Sequence, residues 1–191
     1  MADGEERIEG QIREEELDPE REARRRLALA QIRQYPDDAL KMTARPVEAF
    51  DDDLRNLVGR MRLLMRDASG IGLAATQVGV LRRVFVFQPT DHDVLAIVNP
   101  QLTKLSEEKE VADEGCLSIQ GVTVPVERAV AATVVGKDEN GADVRYELEG
   151  YAARCAQHEV DHLDGVLMLD RTTPEARKEA LALLRPRIVL T

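Results

Sequence analysis

Cysteine and histidine are scarce in this chain of 191 residues, which has two of the first and three of the second. Two thiols are too few for a disulfide scaffold, and a reducing compartment would leave both free, so Cys116 and Cys155 each need their own explanation. Long apolar runs are missing too. No stretch approaches the roughly 20 residues that a bilayer span requires, and the leading "MADGEERIEGQIREEELDPE" lacks the apolar core of a secretory signal. The expectation is a cytoplasmic protein without a membrane partner. Positive charge is also short: 26 Lys and Arg against 36 Asp and Glu leave a formal net charge of -10. A surface that neutralises phosphates needs clustered cations, so this balance argues against a direct nucleic-acid substrate. No internal repeat or low-complexity linker interrupts the chain.

What is present is enough apolar material, 43% of residues, for one well-packed domain. Met1 to about Glu22 is dominated by Glu, Asp and Arg and reads as a solvated, poorly ordered extension, which leaves residues 23–191 as a single domain. Between Val47 and Asp67, the spacing of Leu54, Leu57, Val58, Met61, Leu64 and Met65 predicts a helix with one buried face. The segments "VLRRVFVFQ" and "DVLAIVNP" read as strands, and "AVAATVVGKDENGADVRYELEG" as a hairpin turning at Asn140-Gly141. Helical spacing returns from Glu149 to Leu163, and a last helix starts at Pro174. This order is an α+β plan rather than alternating βαβ units.

Chemistry concentrates in "QHEVDHLDG", residues 157–165. On a helix, His158 and His162 stand one turn apart and can converge on one metal ion, while Glu159 between them can take a proton from water without being a ligand. The alternative is a helix whose two histidines are hydrogen-bonded core residues. A catalytic site needs a third ligand. Downstream, Asp164, Asp170, Glu175 and Glu179 lack the spacing of a "HExxHxxGxxH" site, and Cys155 lies seven residues from His162, too far along the axis to share an ion. Cys155 reads as packing or pocket lining.

Cys116, in "DEGCLSIQG", can supply a thiolate from a strand or turn, although a buried structural cysteine is the commoner reading of such a residue. "SGIGLAATQVGV" contains G-x-G-x-x-A, but a helical pattern precedes it and strand-like residues follow, the reverse of a dinucleotide fingerprint. It reads instead as a glycine-punctuated edge with accessible backbone. Gln77 at its end carries a neutral amide able to donate to a developing oxyanion.

Taken in order, "GIGLAATQ", "EGCLS" and "QHEVDH" closely resemble the three signature motifs of the peptide deformylase family, over most of the chain from "QIRQYPDDAL" onward. The resemblance implies antiparallel sheets packed around a central helix carrying the histidines. It also implies removal of the formyl group from the N-terminal formylmethionine of new polypeptides. Cys116, His158 and His162 would be the metal ligands, with Fe(2+) as the physiological ion and Zn(2+), Ni(2+) or Co(2+) able to replace it on purification. Glu159 would act as general base and acid on metal-bound hydroxide. Gln77 and the backbone N–H of Leu117 would steady the oxyanion. Backbone groups of Ile71, Gly72 and Gly115 would pair with the peptide as an added strand, and Ile71, Tyr151 and Cys155 would line the methionine pocket. Asp161 is expected to pair with Arg128 and fix the histidine helix. Arg177, Lys178, Arg185 and Arg187 are sparse but compatible with the transient ribosome contact that some bacterial members make through a basic C-terminal helix. Two alternatives stay open: a zinc endopeptidase with a downstream third ligand, and a binding relative without turnover.

Overall fold

A computed structural model describes residues 18–89 and 94–184. Most of the acidic extension, together with Arg185 and Arg187, therefore lies outside the described residues. The first helix, α1 (Pro19–Leu29), begins with proline at its first turn and with the Asp18 side chain accepting from the Glu20 N–H. Residues 19–22, counted above with the extension, are thus helical. The second helix, α2 (Asp52–Asp67), is shorter than the apolar spacing predicts. Asp51 caps it by accepting from the Leu54 N–H at 3.0 Å, with Asp52 and Asp53 in the positive first turn. Val47 lies outside the helix, its N–H and C=O both held by the Asn99 side chain at 2.8 and 2.9 Å.

Five antiparallel strands form the main sheet: β1 (Gly72–Ala74), β2 (Val84–Phe87), β3 (Leu95–Leu105), and, farther along the chain, β6 (Ala131–Lys137) and β7 (Asp143–Glu149), in the order β1-β2-β3-β6-β7. The expected hairpin is β6–β7, and Gly141 in its turn adopts φ +88°, open to glycine at little cost. The expected alternation of "VLRRVFVFQ" becomes a strand buried on both faces. Val84 and Val86 pack with Val58, Met61 and Met65 of α2, while Phe85 and Phe87 pack on the opposite side. That opposite side is covered by α3 (Gly150–Leu163), whose Ala153, Ala156, Val160 and Leu163 recur at helical spacing against the sheet.

A second hairpin, β4 (Lys109–Cys116) and β5 (Ile119–Ala129), forms a separate two-stranded sheet. It was not legible as a strand pair, because β4 is exposed along most of its length and reads as polar. Its β5 strand packs on α4 (Met168–Arg171) and α5 (Pro174–Leu184), which begins at Pro174 as expected. The helix α3 therefore stands between the main sheet and this hairpin. No described helix is long and apolar enough to cross a membrane.

Candidate active site

Two rows of side chains at i, i+4, i+7 spacing leave α3 away from the main sheet. One row, Arg154, His158 and Asp161, meets the β4–β5 hairpin. The other, Cys155, Glu159 and His162, faces the gap between β1, the edge of the main sheet, and the end of β4. Cys116 is the last residue of β4, and two residues separate it from the start of β5. This turn brings its sulfur to the helix: Cys116 Sγ lies 3.3 Å from His162 Nε2, which lies 3.2 Å from His158 Nε2.

These three atoms lie within 4.8 Å of one another. Two imidazole nitrogens bound tetrahedrally at about 2.1 Å would stand about 3.4 Å apart, so the spacing fits a single divalent ion. The surrounding bonds agree. Glu114 accepts from His158 Nδ1–H at 2.9 Å, which fixes the tautomer and leaves Nε2 as a lone-pair donor. The backbone N–H of Ser118 donates to Cys116 Sγ at 3.4 Å, which fixes the sulfur beside the imidazoles. Asp164 and Asp170, considered as downstream ligands, are turned elsewhere: Asp164 pairs with Arg83, and Asp170 pairs with Lys41 while accepting from the Leu167 N–H.

Glu114 was missed by sequence reasoning and is the hub of the support. Its Oε1 accepts from Arg128 Nε and Arg154 Nη1, both at 2.9 Å, and its Oε2 from Arg128 Nη2 at 3.0 Å. Arg128 also donates through Nη1 to Asp161 at 2.5 Å, the expected pair, and Arg171 grips both oxygens of Asp161 through Nε and Nη2. Burial alone would raise the Glu114 carboxyl, but the His158 and Arg128 hydrogen bonds outweigh it and hold it at about 2. The available signal was strand alternation, which puts Glu114 on the face of Cys116. Nothing local separates it from the exposed acids Glu110 and Asp113.

Glu159 is 4% exposed, and its Oε2 has no hydrogen-bond partner among the described residues. Burial pushes its carboxyl up to about 7 against the pull of His158, in the range where a group can both take and return a proton near neutrality. Burial, reinforced by Glu159, raises the Cys155 thiol well above its usual range, in keeping with packing rather than ligation. Gln77, in a short 3-10 turn after β1, is buried. Its Oε1 accepts from the Ala74 N–H at 2.8 Å, which points Nε2 toward Ser118 Oγ at 3.1 Å and Cys116 Sγ at 3.6 Å.

A cleft of about 900 Å³ opens over this group. Ile71, Gly72, Gly115, Leu117, Tyr151 and Cys155 all line it. The glycines have different causes, however. A Cβ on Gly72 would collide with Glu159 and Cys155, and one on Gly70 would meet Leu117 Cδ1 at 2.6 Å, so the chain's own packing requires both. At Gly115 a Cβ would lie at an ordinary 3.7 Å from Thr123 Cγ2. Ile71 presents a partly exposed side chain, while its carbonyl already accepts from the Gln88 N–H at 2.8 Å.

The chain is similar to known proteins over most of its length. The polypeptide deformylase family model matches residues 29–178. The peptide deformylase of Acidothermus cellulolyticus is 47% identical over 159 residues, covering 83% of this chain and 87% of that one. That of Desulforudis audaxviator is 44% identical over 154 residues, covering 80% and 100%. The crystal structure of a peptide deformylase from Synechococcus elongatus in complex with actinonin superposes with a TM-score of 0.77 at 39% identity, covering 80% of this chain and 85% of that one. The Thermotoga maritima enzyme gives 0.72 at 43%, covering 75% and 97%. With the family model spanning most of the domain and relatives this similar, the chain belongs to the peptide deformylase family.

Proposed function

We propose that this protein is a metal-dependent hydrolase that removes the formyl group from the N-terminal formylmethionine of newly made polypeptides in the cytoplasm. The observation that carries the reading is the convergence of Cys116, His158 and His162 beside the buried Glu159, whose Oε2 has no hydrogen-bond partner among the described residues, at the floor of a cleft between two strand edges. The three ligands would hold the ion, with Fe(2+) proposed as resident and Zn(2+), Ni(2+) or Co(2+) as substitutes. When bound, such an ion supplies Lewis acidity, polarising a carbonyl oxygen and lowering the pKa of water.

The chain supplies the rest. Glu159 Oε2 takes the proton of the attacking water and returns it to the departing amine nitrogen. Gln77 Nε2, locked by the Ala74 bond, and the Leu117 N–H donate to the formyl oxygen as it gains negative charge. The open edges of β1 and β4 receive the peptide as an added strand through Gly72 and Gly115, a contact indifferent to side-chain identity. Ile71, Tyr151 and Cys155 surround the methionine side chain. A transient ribosome contact through the basic end of the chain belongs to the same proposal. Among its cations, Arg177 lies 3.7 Å from Asp170, and Lys178 is exposed.

The test is formate release from formyl-Met-Ala-Ser by protein purified without oxygen and loaded with Fe(2+) or Ni(2+), beside the chelator-stripped protein. Metal-dependent release supports the reading. A loaded protein that releases no formate would make it a binding relative.

A further inference from the structure

Ahead of most of the family-matched residues, which start at 29, this chain places α1 against the cleft. Ala28 anchors the helix, 3% exposed in the cluster that holds Met61 and Met65 of α2. One turn apart on α1, Arg25 and Leu29 reach the cleft wall beside Ser69, Gly70 and Leu117. Arg25 Nε donates to the Ala68 carbonyl at 3.4 Å, which holds the guanidinium at the rim, two residues from Gly70. Its other two nitrogens have no hydrogen-bond or ion-pair partner among the described residues. The other cleft arginine is committed: Arg154 is bound by Glu114 and by the carbonyls of Val126 and Glu110. The exposed acid of the cleft, Asp113, lies three residues back along β4 from Cys116, about 10 Å away on the hairpin side. The rim is therefore polarised, with one uncommitted cation on the α1 side.

We infer that Arg25 is a specificity-determining residue that favours peptides carrying a carboxylate a few residues beyond the formylmethionine. This rests on the proposed deformylation and extends it to substrate preference. A guanidinium offers two parallel N–H donors that match a carboxylate, and Arg25 is half-buried and already tethered through Nε, so little freedom is lost when one binds. The carboxylate can come from an acidic side chain or from the free end of a short peptide.

The experiment compares kcat/KM for C-terminally amidated formyl-Met peptides with Glu or Gln at the second, third or fourth position, and for formyl-Met-Ala-Ser as free acid or amide. The same unformylated peptides are titrated calorimetrically as a readout without turnover. The expected result is a Glu over Gln or acid over amide preference of about two- to fivefold at low ionic strength, falling with added salt. Arg25→Gln should bring that ratio to about one, and Arg25→Lys should keep most of it. A preference confined to the acid and amide pair assigns the carboxylate to the chain end. Ratios near one in the unmodified protein, or unchanged in Arg25→Gln, would overturn the inference. Failure of the reaction itself would look different: no formate from any peptide, with the charge preference still present in binding.

Discussion

Glu159 occupies the space that a side chain on Gly72 would need: a Cβ there would fall onto Glu159 Oε1 and lie 2.8 Å from Cys155 Sγ. The absence of a side chain on β1 is thus part of how the α3 carboxylate is positioned. Gly72→Ala should lower kcat/KM about 10- to 100-fold, the scale of a displacement near 1 Å at a reacting group. It should also cost about 1–3 kcal/mol of stability through overpacking. Metal content should stay at one ion per chain, because the ligands lie outside the collision. A variant with unchanged activity would mean that Glu159 has room to move without consequence.

Several parts of this arrangement were legible in the sequence, one through local periodicity and the others through the resemblance that three ordered motifs carry. Helical spacing put His158 and His162 on one face, and the order of three motifs brought Cys116 and Gln77 into the same reading. The Arg128–Asp161 pair was anticipated as well. What stayed hidden depends on tertiary contact. Glu114 looks like any other acid of a polar strand until β4 folds onto α3 and places it among Arg128, Arg154 and His158. Arg25 belongs to a helix whose sequence is mostly charge, and only the packing of Ala28 onto α2 turns that charge toward the cleft. That Gly72 makes room for Glu159 and Cys155 is likewise a tertiary fact, since a one-residue motif cannot say which neighbour demands it.

Glu159→Gln should separate catalysis from stability. The carboxyl sits at about 7 in the fold against its ordinary 4.5, with burial as the main cause, so the metal-free fold loses stability as pH rises between those values. Replacing it with a neutral amide removes that loss. The stripped variant should be more stable than the stripped parent by about 1–3 kcal/mol at pH 8, with the difference closing below pH 4.5. Formate release should fall about 10²- to 10⁴-fold with metal still bound. Denaturant titrations at two pH values and a metal assay check both halves, and full activity in the variant would remove Glu159 from the proposed chemistry.

Glu114→Gln should act in the opposite sense. A carboxyl held at about 2 contributes stability that is present above its ordinary 4.5 and is lost as pH falls toward 2. Arg128 and Arg154 would be left with part of their charge uncompensated in a buried setting, a cost of about 3–5 kcal/mol at neutral pH. Metal affinity should drop about 10- to 100-fold as the carboxylate that accepts from His158 becomes a neutral amide. Acid titration of the stripped proteins should show the gap between parent and variant narrowing from pH 4.5 downward. A constant gap would mean that another carboxylate carries the acid sensitivity.

Cys116→Ser tests the ligand set apart from turnover. A serine hydroxyl is a poor substitute for a thiolate toward a borderline or soft divalent ion, so the variant should retain well under one ion per chain after dialysis. The parent, loaded with ion at about 100 times its Kd, should gain about 2.7 kcal/mol over its stripped form, which for a domain of this size is a rise in Tm of about 5–10 °C. In Cys116→Ser the same ion concentration should shift Tm by far less, because Cys116 Sγ is the one sulfur in the cluster with His158 and His162. Equal shifts in parent and variant would place the ion elsewhere on the protein, and the active-site reading would lose its central support.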